Sequence, residues 1–315
     1  MKMKHITRSP QNKTENNHQL SFFDSARSAF KHILDNTELN GGSILLPSYI
    51  GITDREGSGV FDPISSSKIP FTFYSVNNKV QPDFSEIKKI ITNQKISMIL
   101  LIHYFGFYSK DTQNIISLCK KNNIIVIEDC AHVFSNNKKE SPTGFMGDCS
   151  IYALHKVLPM EKGGVLRVNN PKYNYLCQQK QTLESIDYVR ELAYIDHAKA
   201  STRRIENYKK LAGNFLRIER ITLIYPHLPD NTIPFNLPVL VDDSLREKLY
   251  FKLIELNVPV VALYYRMIKE IKVTDFPISY QLASNILNFP IHQEIDDEQL
   301  DFMVKMTIRA LNEID

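Results

Sequence analysis

Asn123–His132 reads NIIVIEDCAH. Four branched aliphatic residues, Ile124 to Ile127, stand together with no alternation of polar and apolar, so the strand they predict is buried on both faces. Strands of that kind belong to parallel sheets with helices on either side. The run ends in two carboxylates, Glu128 and Asp129, with His132 three residues on. In open parallel sheets ligands bind beyond the carboxyl ends of the strands, so these polar residues fall where chemistry is expected.

Working outward, the same grammar repeats. ISMILLIHYFG, from Ile96, predicts a second buried strand that ends at His103. DTQNIISLCKKNN, from Asp111, predicts the helix between the two and stops at asparagine. GGSILLPSY and PFTFYSV predict strands near 43 and 71, and DFSEIKKIIT predicts a helix capped by Asp83. LSFFDSARSAFKHILDN carries apolar residues at 22, 26, 29, 30, 33 and 34, a helical period. Downstream, SIYALHKVLPMEKGG (Ser150–Gly164) predicts a strand ending at His155 and Lys156, with a Gly-Gly pair seven and eight residues beyond the lysine. After about residue 170 the pattern changes to long helical stretches through the segment that ends NFLRI. A smaller α+β section follows: strand FNLPVLVD, helix SLREKLYFKLIELN, strand VPVVALYY, strand ILNFPI and a terminal helix that opens on acidic residues. The expected organisation is a polar arm over 1–19, a large α/β domain over 20–195, and a connecting helix with a small α+β domain over 196–315.

Bulk properties narrow the function. The chain has 315 residues, 43% apolar and 23% charged, with a net charge of +3. That is the composition of an ordinary globular protein and too little positive charge for nucleic acid. The first nineteen residues lack the apolar core of a signal peptide, and no run is long enough to span a bilayer. A cytoplasmic protein is the expectation. The four cysteines, Cys119, Cys130, Cys149 and Cys177, show no paired spacing, so no metal is expected.

Strand-end carboxylates also cap turns, strand histidines are commonly hydrogen-bonded core residues, and strand-end lysines are commonly solvated. The combination points further. A lysine beside another cation forms Schiff bases. Its commonest partner, pyridoxal phosphate, needs an acid at its ring nitrogen and backbone N–H groups at a helix start for its phosphate. Lys156, Asp129 and the helix beginning at SARSAF supply those three parts.

Taken together, the ordered motifs resemble the DegT/DnrJ/StrS family of pyridoxal-phosphate sugar aminotransferases, and the resemblance runs through most of the chain. It implies a type I aminotransferase fold, a mainly parallel central sheet covered by helices with a smaller α+β C-terminal domain. By the match of IEDCAH, Asp129 pairs with the pyridine nitrogen and His132 contacts the ring 3-hydroxyl. By the match of KVLPMEKGG, Lys156 is the Schiff-base lysine. SARSAF stands at the phosphate-binding helix start, which implies Ala26, Arg27 and Ser28. HYFG also matches and brings His103 into the cofactor-binding set. LLPSY is similar to the turn carrying the ring-stacking aromatic. That aromatic would fall on Gly51, so Tyr49 is the candidate in its place. Ala153 and Leu154 stand near the family's phosphate-binding serine. The segment that reaches a neighbouring subunit's site is not recognisable. Arg266 is a candidate for an anionic donor or phosphate.

What the resemblance implies is transfer of an amino group from an amino acid, glutamate by analogy, to a nucleotide-linked keto-sugar in amino-sugar or surface-polysaccharide biosynthesis. Asp129 and Lys156 are the catalytic pair, pyridoxal 5'-phosphate is the cofactor, and a homodimer is the assembly. Two alternatives stay open. One is a dehydratase or eliminase on the same fold; relatives of that kind have histidine for the lysine, and His155 adjoins Lys156, although the Gly-Gly spacing favours Lys156. The other is a non-catalytic member of the family.

Overall fold

A computed structural model describes residues 19–55, 57–133, 138, 141–157, 160–177 and 196–314. The expected N-terminal arm lies outside them up to residue 18, as does residues 178–195 of the expected long helical stretch.

The larger sheet has seven strands in the order β1-β7-β6-β5-β4-β2-β3. Its parallel part is β2 (Ser43–Pro47), β3 (Phe71–Tyr74), β4 (Ile96–Ile102), β5 (Ile125–Asp129) and β6 (Cys149–Ala153). β7 (Gly164–Val168) runs antiparallel to β6, and β1 (Gln19–Phe23) antiparallel to β7. Every residue of β5 is buried, as its unbroken apolar run predicts. Helices α1 (Ala26–Asp35), α2 (Phe61–Ser67), α3 (Phe84–Asn93) and α4 (Thr112–Lys121) connect the strands. Asp83 caps α3 by accepting from the amides of Ser85 and Glu86, and α4 ends at Asn122.

The C-terminal part holds α5 (His197–Phe215), a second sheet in the order β10-β9-β8, and three further helices. β8 (Ile221–Leu223), β9 (Asn236–Val241) and β10 (Ile286–Pro290) pair antiparallel. α6 (Asp243–Glu255) and α7 (Pro277–Asn285) lie between β9 and β10, and α8 (Asp297–Glu313) follows. Asp296 and Gln299 close a capping box at the start of α8.

Two expectations differ from the structure. The helical period starting at Leu20 spans two elements. Leu20–Phe23 pairs with β7 as strand β1, and the helix starts at Ala26, where Ser25 bonds the amide of Ser28. The edge of β7 recruits Leu20–Phe23, and the Ser25 cap ends the strand. VPVVALYY is not a strand. Val261 makes one bridge to Asn288, and Tyr264 turns into the left-handed region at φ 57. That conformation cannot continue a pleated ladder.

Candidate active site

β4 and β5 end at one level, where Ile102 pairs with Asp129; Asp129 pairs in turn with Ile151 of β6, which runs two residues further to Ala153. Beyond these ends opens a cavity of about 530 Å³. The backbone beyond the strands continues the sheet's bonding. His103 N–H donates to the Asp129 carbonyl at 3.0 Å, and Cys130 N–H to that of Ile151 at 2.8 Å. Asp129 is therefore fixed from both sides, and its side chain lines the cavity.

The two adjacent acids divide their work, as successive residues of a strand must. Glu128 turns away from the cavity. It is fully buried and accepts from the amides of Gly144 and Met146 at 2.9 Å, from Gly147 at 2.6 Å, and from His103 Nε2 at 2.9 Å. Burial pushes its carboxyl up, but the His103 bond and charge and the Gly147 and Gly144 amides outweigh that and hold it below the usual range. Glu128 thus ties the 144–147 loop to the sheet. Asp129 has less support. Its Oδ1 accepts from Ala131 N–H at 2.9 Å, and the charges of Lys156 and His103 favour ionisation, yet burial dominates and its pKa is raised. A desolvated carboxylate that its surroundings do not fully satisfy is suited to a cationic ligand group.

Lys156 closes the 3₁₀ turn Leu154–Lys156 after β6. Leu154 N–H donates to the Gly163 carbonyl at 2.9 Å, and Gly163 N–H to the Asp24 carbonyl at 2.9 Å. The glycine pair therefore couples the lysine turn to the start of α1. Gly163 has φ 148, and a Cβ on Gly164 would run into the Ser25 carbonyl group and come within 2.6 Å of Ala26 N. Only glycine lets the N-terminus of α1 sit so close to β7.

His132 is buried, and its Nε2 lies 3.3 Å from Lys156 Nζ. Its ring stacks on Phe235 at 5.0 Å and 10°, and its Nδ1 accepts from Phe105 N–H at 3.4 Å. That tautomer presents Nε2–H to the amine, an arrangement that suits a nitrogen with a lone pair. Burial, then the charge of Lys156, depresses the imidazole pKa well below its ordinary value.

Of the residues named from the sequence, the cavity gathers Ala26, Arg27, Asp129, His132 and Lys156. Four others stand elsewhere. Ser28 gives its amide to Ser25 Oγ inside the cap. Tyr49 is wholly buried behind the wall, with its hydroxyl donating to the Leu263 carbonyl at 2.7 Å. His103 faces Glu128 and not the cavity. Arg266 is exposed and pairs with Asp54. Gly51, which the sequence marks only as the vacant stacking position, lines the same cavity, together with Thr53, Arg55 and Tyr264, which the sequence reading missed. Thr53 and Arg55 come from a loop without periodicity and Tyr264 from the segment expected to be the strand VPVVALYY, so only the departure at Gly51 pointed there.

Residues 63–184 match the DegT/DnrJ/EryC1/StrS aminotransferase family. The resemblance read from the motifs therefore holds. The chain is 25% identical over 252 residues to the dTDP-4-amino-4,6-dideoxy-D-glucose transaminase of Shigella dysenteriae. That alignment covers 68% of this chain and 66%, just under two thirds, of the Shigella protein. In three dimensions the chain is similar to Helicobacter pylori PseC, an aminotransferase involved in the biosynthesis of pseudoaminic acid. The TM-score is 0.75 at 15% identity, over 93% of this chain and 87% of that one. The PLP form of Spr1654 from Streptococcus pneumoniae superposes with a TM-score of 0.77 at 15% identity, over 94% of this chain and 88% of that one. The fold is accordingly that of the type I aminotransferases. Among the described residues no helix is long and apolar enough to cross a membrane.

Proposed function

We propose that this chain is a pyridoxal-phosphate-dependent aminotransferase that moves an amino group from an amino acid, glutamate by resemblance, to a nucleotide-linked keto-sugar in amino-sugar biosynthesis. One observation carries the reading: a single cavity gathers Lys156, an under-satisfied Asp129, His132 against the amine, and the N-terminal end of α1. The named transaminase relative supports the substrate class.

The residues present fit the cofactor. Gly164 leaves room for the start of α1 to close on the site, where first-turn amides and the guanidinium of Arg27 would hold a phosphate. Asp129 would hold a ring-nitrogen proton, gaining the cation that its burial calls for. When bound, pyridoxal phosphate supplies an aldehyde that condenses with amines and a protonated ring that spreads carbanion charge. Lys156 Nζ would be the amine that condenses with that aldehyde, and as a free amine it would hold and move a proton at the reacting carbon. His132 orients that amine by its 3.3 Å contact and is itself held by the Phe235 stack. The proposal includes a homodimer, which the family resemblance supports, and a cytoplasmic location, the expectation from the sequence; gel filtration giving a fully active monomer overturns the first.

The test is mass spectrometry after borohydride reduction, with glutamate turnover alongside. The expected result is a pyridoxyl adduct on the Lys156 peptide and release of 2-oxoglutarate when a keto-sugar nucleotide is added. No adduct removes the cofactor reading. An adduct with sugar consumed and no 2-oxoglutarate released replaces transamination by elimination, for which His155, also on the cavity wall, would be examined first.

A further inference from the structure

Gly51 lies on the cavity wall just beyond β2. Its backbone is outside the left-handed region, so its own conformation does not require glycine. What excludes a side chain is Tyr264: a Cβ on Gly51 would stand 2.7 Å from both Cβ and Cγ of that tyrosine. Glycine at 51 is the space into which Tyr264 fits.

Tyr264 is held there against its own preference. A tyrosine at φ 57 is rare and persists only where the surroundings impose it. Here they are explicit. Tyr49 Oη donates to the Leu263 carbonyl at 2.7 Å, Ile52 N–H to that of Arg266 at 3.0 Å, and Ile268 N–H to that of Ile50 at 3.1 Å. Tyr49 and Tyr104 make edge contacts with the Tyr264 ring at 5.3 and 6.3 Å. The ring shares the cavity wall with Asp129, Ala131 and Lys156. Burial and then the Asp129 charge raise its phenol pKa, so the hydroxyl stays protonated.

Resting on the cofactor reading above, we infer that Tyr264 is the ring-stacking residue of this site, reaching in from the C-terminal part of the chain to fill the place that Gly51 leaves open. A protonated pyridine is electron-poor, and a phenol face is a favourable partner for it in an offset stack. Gly51 and Tyr264 are then one device split between two distant stretches of sequence.

The experiment titrates apo protein with pyridoxal 5'-phosphate, followed by absorbance and by circular dichroism of the bound chromophore. Tyr264→Phe should bind within about twofold of wild type, since the face is kept. Tyr264→Ala should bind about tenfold more weakly and lose most of the induced dichroism. Gly51→Tyr placed in a Tyr264→Gly background, which removes the Cβ as well as the ring, should recover most of the affinity that Tyr264→Gly alone loses, which a merely structural tyrosine would not permit. Tyr264→Leu keeps most of the bulk without the ring; it should also bind several-fold more weakly, and it serves if the alanine variant does not fold. Wild-type affinity in folded Tyr264→Ala or Tyr264→Leu overturns the inference, as does a folded double variant no better than Tyr264→Gly. If wild-type protein forms the Lys156 adduct in those cases, only this inference falls. A wild-type protein that takes up no cofactor removes the underlying reading as well.

Discussion

Two walls of one cavity were made in different ways. The first is the end of the sheet, where Asp129 and Lys156 sit on strands or on the turn that closes one, fixed by backbone bonds on both sides. The second comprises residues 50–55 and 57–59 and the 263–268 segment, joined to each other across the chain and shaped by one glycine–tyrosine fit. The first wall is rigid because its groups hang from a ladder buried on both faces. The second holds its shape only because two remote loops impose it on each other. The proposed reading puts chemistry on the first wall and recognition on the second, which is the division expected when a rigid scaffold presents adaptable loops.

The comparison is put under greatest strain by removing the lysine. Lys156→Ala takes away attachment and proton carrier together, so turnover should fall by about 10⁴-fold or more, measured as 2-oxoglutarate release, with no borohydride adduct. A variant that keeps a substantial rate would move the chemistry off the first wall.

Asp129→Asn should act in opposite directions on activity and stability. Turnover should drop by roughly 10²–10³-fold. In the apo protein the sign follows from the raised pKa. The folded state holds the Asp129 proton more tightly than the unfolded chain, so this group's contribution is full below the ordinary carboxylate pKa and is lost as pH rises through the raised folded value. At neutral pH the charge therefore costs stability, and the uncharged amide should raise the apo melting temperature by roughly 2 °C. An unchanged or lower melting temperature in calorimetry would show that the carboxylate is better satisfied than its burial implies.

Gly164→Ala probes the seam where α1 meets the first wall. Its methyl group would overlap the Ser25–Ala26 backbone, so the helix start must move. A loss of about 1–3 kcal/mol in denaturant unfolding is expected, together with weaker cofactor binding. Wild-type stability would mean that the seam is loose.

The smallest effect is the pH response of His132. Its depressed pKa means that the unfolded chain takes up a proton that the folded chain refuses. Stability is therefore full above about pH 6.5 and falls below it. Apo protein should lose about 1 kcal/mol between pH 6.5 and 5.5 through this group. His132→Phe, which keeps an aromatic ring against Phe235, should flatten that slope, leaving a weaker one from His292, whose pKa burial also lowers. Parallel pH profiles for the two proteins would indicate that His132 is hydrated.

The first wall was legible because its signals are local. Ile124–Ile127 can only be a doubly buried strand, Asp129 ends it, and Lys156 stands at a fixed distance from the glycine pair. What local pattern could not assign was direction. Glu128 and Asp129 look alike in sequence, and only the 144–147 loop, with His103, decides which of them leaves the cavity. The helical period from Leu20 misled because the open edge of β7 recruits residues 20–23 into the sheet. VPVVALYY has the composition of a strand, but Tyr264 turns left-handed to meet Gly51.

Periodicity determined the mainly parallel sheet and the strand ends at which Asp129 and Lys156 stand, since burial on two faces leaves its mark within a dozen residues, while the roles of those two residues were implied by the resemblance of the ordered motifs. The tertiary structure decided which aromatic faces that acid, because the contact joins parts of the chain as far apart as Tyr49 and Leu263, 214 residues in sequence. Neither partner carries a local sign of the other. The fit between them exists only once the C-terminal segment has docked on the loop after β2.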